Sequence, residues 1–177
     1  MRVLVAFTLF ICFNIQAACN FDVVFTTIPE TKQQKVEISS DVQLLIAQRI
    51  AQKTINGSVV ATNVTCQYLK GKSYTNSESE WQAYLDNAIK ALGKSGANEL
   101  EVSIIGSEDK VYRGELSSLE YQFNADFAGN RQVIKNLAVL DIENNSLISF
   151  SVSGSQSEES EISDEFERVI SSFKLNN

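Results

Sequence analysis

Six acidic residues crowd one short stretch late in the chain: Glu158, Glu159, Glu161, Asp164, Glu165 and Glu167. A pair of carboxylates can divide acid and base roles, as in glycoside hydrolysis. A denser cluster can dock a basic partner or bind calcium weakly. The plainer origin of such a run is the first turns of an amphipathic helix, where acids meet the positive end of the macrodipole. Read that way, Glu158, Glu159, Glu161, Asp164 and Glu165 form a solvated patch whose functional alternative is partner docking. A second oxygen-rich stretch, "DIENN" from Asp141, lacks the glycine and the closing Glu of an EF-hand loop and reads as a hairpin turn. "GKSYT" at 71–75 contains Gly-Lys-Ser, but Cys66 and Gln67 stand where a phosphate loop needs its first glycine. It reads as a solvated loop.

The chain contains no histidine. That removes Ser-His-Asp and Cys-His nucleophile systems and the usual His-containing zinc sites. Beyond the opening segment only Cys19 and Cys66 remain, too few for a four-cysteine site. No cofactor or metal is expected. The triplets Asn56-Gly57-Ser58, Asn63-Val64-Thr65 and Asn144-Asn145-Ser146 match the glycosylation acceptor pattern at a frequency that chance supplies, and carry no assignment.

Met1-Arg2 sets a positive charge before an apolar run from Val3 to Phe13, followed by small residues at Ala17 and Ala18. The run falls short of the about 20 apolar residues a membrane-crossing helix needs. It reads as a signal peptide over 1–17, leaving 18–177 as a single domain. No later stretch is apolar enough to cross a membrane. Without Arg2, the 15 Lys and Arg drop to 14 against 22 Asp and Glu, a net −8. Such a chain repels nucleic acid and bulk anionic lipid. The expected partner is a protein of unspecified identity.

Cys19 could carry a lipid anchor or half of a disulfide. A lipoprotein signal wants Leu, Val or Ile ahead of the small pair before its cysteine, and Gln16 occupies that place. Export into an oxidising compartment favours pairing Cys19 with Cys66. The expected location is the periplasm, with an envelope lipoprotein or a secreted protein as alternatives.

Periodicity places the elements that must position these residues. Trp81, Tyr84, Leu85, Ala88, Ile89 and Leu92 make one helical face, with a Ser77/Glu80 capping box and Gly93 as terminator. Ile162, Phe166, Val169, Ile170 and Phe173 make another at the end of the chain. A third helix is expected over Val42–Lys53, capped by Asp41. Leu119, Tyr121, Phe123, Ala125 and Phe127 alternate as a strand with one wet face. "AGN" at 128–130 is a turn, "VIKNLAVLDI" is apolar on both faces, and Asn144-Asn145 turns it into "LISFSV". Further strands are expected at 21–28, 58–69 and 99–105. The fold class is α+β, a twisted antiparallel sheet with helices packed on it. Trp81, Leu85, Ile89, Phe166, Ile170 and Phe173 should face the core.

The order "SEWQAYLDNAIKAL", "VYRGELSSLEYQFNAD", a strand pair ending "LISFSVSGS", then "EISDEFERVISSFKL" resembles the PsbP-like superfamily over about residues 77–175. That group includes bacterial envelope proteins. Its pattern has a helix before the sheet, a Gly-centred strand entry (Gly114 here) and a last helix closing on Ser172-Phe173-Lys174. The front departs from the pattern, since members begin with an extended segment holding a Gly and a Pro-aromatic pair. The resemblance implies an α/β/α sandwich that is not an enzyme but a binding, assembly or stabilising accessory. It carries over no catalytic residue. The expected function is therefore a noncatalytic exported envelope protein, the alternative being a carboxylate-based hydrolase of envelope glycans.

Overall fold

The computed structural model describes residues 19–105, 110–112 and 116–176. The expected signal segment at 1–17 and the strand entry at Gly114 lie outside them. Short β1 (Phe21–Asp22) and β2 (Glu30–Glu37) precede two long strands, β3 (Gln43–Ile55) and β4 (Ser58–Lys70). Helix α1 (Glu78–Lys94) is followed by β5 (Asn98–Ile104), β6 (Lys110–Tyr112), β7 (Leu116–Phe127), β8 (Asn130–Asp141) and β9 (Ser146–Ser155). Helix α2 (Glu159–Ser172) and β10 (Lys174–Leu175) close the described chain. The main sheet runs β2-β3-β4-β9-β8-β7-β5, with β6 also on β7, and its pairings are antiparallel. β1 and β10 form a separate two-stranded ribbon.

β3 overturns the helix expected over Val42–Lys53. The stretch carries apolar side chains in both parities: Leu45, Ala47 and Ala51 on one face, Leu44, Ile46 and Ile50 on the other. A strand packed on one face and half-covered on the other can use both sets. The decisive residues are Asn56 and Gly57, with φ of 50° and 84°. This two-residue turn has the twist that suits antiparallel neighbours. Ile55 pairs with Ser58, and the ladder continues without a slip to Gln43 and Lys70. The strand expected over 21–28 is also shorter than its apolar pattern suggested, since only Phe21–Asp22 pairs.

Alternation divides the core between two helices. On one face Val64, Leu137, Ile148, Phe150 and Val152 meet Ile162, Phe166, Val169 and Phe173 around α2. On the other, Leu119, Tyr121, Phe123, Ala138, Leu140 and Leu147 meet Trp81 and the half-buried Tyr84, Leu85 and Ile89 of α1. Trp81, Phe166 and Phe173 are thus core residues as expected, while Leu85, Ile89 and Ile170 sit half-buried at its margins. β8, covered on both sides, has Leu137 to Leu140 buried in succession. The architecture is an α+β sandwich with the sheet in the middle layer.

The helix ends follow their local chemistry with two changes. Ser77 accepts from the Glu80 amide at 3.3 Å, the first arm of the expected capping box. The return arm misses Ser77: the Glu80 carboxylate accepts from the amides of Thr75 at 2.7 Å and Asn76 at 3.0 Å. Gly93 does not end α1, which runs to Lys94 and turns at Gly96, φ 93°. Cys19 and Cys66 are bonded, their Cα atoms 5.9 Å apart. The bond brings Phe21 under the sheet, edge-on to Phe173 at 5.9 Å.

Candidate functional site

Beside its core stripe, α1 presents Glu80, Ala83, Tyr84 and Asn87 at i, i+3, i+4 and i+7 along the wall of a groove. The floor is Leu44 of β3, Gln67 and Leu69 of β4, Leu140 and Leu147; Ile38, Lys72 and Tyr74 form the far lip. The cavity measures about 350 Å³. Its lip exists because Gly71, at φ +86°, lets the chain pass Asp41 at a distance no other residue allows. A Cβ there would stand 1.9 Å from the Asp41 carbonyl oxygen. Asn145 then ties the lip to the β8–β9 hairpin. Its side chain accepts from the Tyr74 amide at 2.9 Å and donates to the carbonyls of Lys72, at 2.8 Å, and Leu69.

The groove is mainly apolar, with fixed neutral hydrogen-bonding groups. Burial raises the Tyr84 phenol, an effect partly offset by its hydrogen bonds with Tyr121 and Ser149. Tyr121 is raised by burial and by its neighbour Tyr84. The Tyr74 phenol is pushed up to about 12, first by burial, then by the Glu80 charge and Tyr84. These hydroxyls stay protonated at neutral pH. The Glu80 carboxylate, the one in the groove lining among the described residues, is committed to the amides before α1. A second carboxylate facing it, which glycosidase chemistry would use, does not line this groove.

The acidic run is not brought together as one patch. Glu159, Glu161 and Asp164 are exposed on α2, and Glu158 accepts from the Asn56 side chain at 3.1 Å. Glu165, expected in the patch, turns the other way and is 4% exposed. Glu165 lies three residues after Ile162 and beside Phe166, which puts it on the core side of the helix. There its carboxylate pairs with Lys53 at 2.9 Å and with Arg168, and accepts from Thr26 at 2.8 and 2.9 Å and Thr62 at 3.2 Å. Burial pushes this acid up, but the hydrogen bonds from Arg168, Lys53 and Thr26 and the Arg168 charge prevail, lowering it to about 2. Arg168 also donates to the Val24 carbonyl at 2.8 Å, so the network straps residues 24–26 to α2. Its geometry is structural.

Asp141 accepts from the Asn144 amide at 3.1 Å and side chain at 2.7 Å, closing the expected hairpin turn. Among the described residues no group of three or more His, Cys, Asp or Glu is placed to hold a metal ion, and no helix is long and apolar enough to cross a membrane. Sequence reading missed the groove because its walls come from four separate segments. Tyr84 looked like a core residue and "GKSYT" like a free loop; Gly71 was the one local signal of a constrained approach.

No protein-family model matches the chain, and no curated protein matches it significantly. Among solved structures, it is similar to PA94 of Pseudomonas aeruginosa, a protein of unknown function, at 5% identity and a TM-score of 0.48, over 78% of this chain and 92% of that one. It is also similar to LpqN of Mycobacterium tuberculosis, described as involved in cell envelope biogenesis, at 9% identity and a TM-score of 0.47, over 89% and 91% of the two chains. At these scores no role passes from the two neighbours to this chain.

Proposed function

We propose that the protein is a noncatalytic, exported binding accessory of the PsbP-like kind, housed in the periplasm and taking an apolar group of its ligand or partner into the α1 groove. The carrying observation is the groove itself: a leucine-rich floor, half-buried neutral phenols and a carboxylate already committed to structure. Such a site rewards burial of an uncharged group and offers little for acid-base chemistry at neutral pH. The Cys19–Cys66 bond supports export, since disulfides persist in oxidising compartments. The wet acids Glu159, Glu161 and Asp164 leave room for a basic partner on the opposite face.

Nile red, a neutral apolar dye, tests the groove. Its emission should rise on mixing with the native protein, and Ala83→Trp, which fills the groove from an exposed helix position, should abolish the rise without lowering the melting temperature. Undiminished dye binding by that variant would refute the assignment. So would turnover of glycan substrates that disappears on removal of one carboxylate.

A further inference from the structure

The α1 side of the sheet continues beyond the groove as a strip of a different kind. Register places Gln67 opposite Leu147, Thr65 opposite Ser149, Asn63 opposite Ser151 and Ala61 opposite Ser153 across β4 and β9. β8 extends these rungs with Asn136 beside Ser151, and β3 with Gln48 beside Thr65 and Ile50 beside Asn63. Successive rungs on one face are two residues apart, so the strip runs roughly 20 Å from Leu147 to Ser153. It joins two concavities: the α1 groove at the Gln67 end, and a second of about 420 Å³ lined by Ala61, Gln132 and Ser153.

The chemistry of this strip is uniform. Asn63, Thr65, Asn136, Ser149, Ser151 and Ser153 are all uncharged donors and acceptors, and all but Asn136 are half-buried. Ser149 also hydrogen-bonds Tyr84 of α1, so the strip begins at the foot of that helix. Ser151, Ser153, Gln48 and Gln132 have no side-chain hydrogen bond among the described residues. Thr65 donates to Asn63, Asn136 to the Ile134 carbonyl and Ser149 to the Thr65 carbonyl, so the spare hydrogen-bonding capacity lies on Ser151, Ser153, Gln48 and Gln132. Ile46 and Ile50 run alongside as an aliphatic rail.

Three ligand classes fit poorly. An ion finds no net opposite charge: the inner rungs are neutral, Glu30 and Lys32 beside Ile50 and Gln48 on the β2 edge pair with each other at 4.0 Å, and Lys72 and Glu80 stand at the groove end. An extended peptide finds no free strand edge, because β4 is paired by β3 and β9, and β9 by β4 and β8. An alkyl chain would strip water from the hydroxyls and amides without replacing it. A chain of neutral sugars suits all of these features: hydroxyls at repeating intervals, no charge, and apolar ring faces for the isoleucine rail. We infer that the strip is a binding trough for an uncharged linear oligosaccharide of about four residues, a length matched to its span. The inference rests on the binding role proposed for the groove and names the ligand class.

Calorimetric titration of the native protein with maltotetraose, cellotetraose, mannotetraose and N-acetylated chitotetraose tests it, with tetragalacturonate as the charged control. At least one neutral tetrasaccharide should bind, and tetragalacturonate should not. Ser151→Trp, which blocks the middle rung, and Asn63→Ala, which removes an amide without adding bulk, should each weaken binding roughly tenfold or more. Both variants should keep the native melting temperature. Failure of all four neutral sugars at about millimolar concentration, equal binding of the charged one, or affinity unchanged in both variants would each overturn the trough. If Nile red still enters the groove while no sugar binds, the trough falls and the groove stands; if neither binds, both fall.

Discussion

At the residue scale the most consequential side chain is Glu165, which looked like part of a wet acidic run and is instead the hub of a buried ion network. Its carboxyl is held at about 2 against an ordinary 4.5. A depressed acid stabilises the fold above its unfolded value and loses that contribution as pH falls through its folded value. The network's contribution is thus complete above about pH 4.5 and drains away toward about pH 2, on the order of 3 kcal/mol in all. Glu165→Gln leaves Lys53 and Arg168 without their anion, and should cost about 3–5 kcal/mol at neutral pH. The gap between native and variant unfolding free energies should narrow as the buffer is taken from pH 5 toward about pH 2. A gap constant across that window would show that the carboxylate's charge is not what holds the network. By contrast, neutralising Glu159 and Glu161, exposed on the wet side of the same helix, should change stability by no more than about 0.5 kcal/mol.

At the element scale, helices and turns were legible where the signal was local, and misread where two local signals conflicted. The α1 stripe and the alternation from Leu119 to Phe127 could be read because each repeats over several periods within one segment. Residues 42–53 satisfy a helical spacing too, yet the Asn56-Gly57 pair just beyond them has the chemistry of a hairpin turn. That pair was visible only as a glycosylation triplet, and so the β3–β4 ladder went unread. Gly57→Ala should cost about 1–2 kcal/mol by forcing a Cβ into the left-handed region, even though no atom stands nearby to clash. Gly71→Ala adds to such strain a collision with the Asp41 backbone, and should both destabilise the fold and abolish Nile red binding by spreading the groove lip. The groove and the trough escaped the sequence for a further reason. Asn63 and Ser151 become neighbours only through pairing between distant strands, and nothing in one dimension records that they share a face. The acidic run was conspicuous because its density is written along the chain.

At the scale of the whole molecule, the two ends of the described chain are joined to each other and to the sheet. Phe21 and Asp22 pair with Leu175 and Lys174, Asn176 donates its amide to Asn20, and the Cys19–Cys66 bond fastens this ribbon to β4. Phe173 packs edge-on against both Phe21 and Phe150, so the ribbon's anchor is also core. Truncating Phe173 to Ala should therefore cost about 3–5 kcal/mol, read from chemical denaturation. The disulfide closes a loop of 47 residues in sequence separation, which on the chain-entropy model amounts to about 4 kcal/mol. Most of that acts on the unfolded chain, so reduction should lower the denaturation midpoint while leaving the β3–β4–β9–β8 ladders intact. Native-state hydrogen exchange after mild reduction checks where the loss falls. The amides of residues 20–22 and 174–176 should exchange far faster, while those of Val64, Leu137 and Phe150 remain protected, because the ribbon depends on the bond and the central sheet does not. Uniform deprotection of both regions would mean that the ribbon and sheet unfold as one unit and that the bond is a condition of the fold. The binding prediction follows from the same division. The groove and trough lie on the α1 face, away from the ribbon, so the reduced protein should still bind whatever the oxidised protein binds.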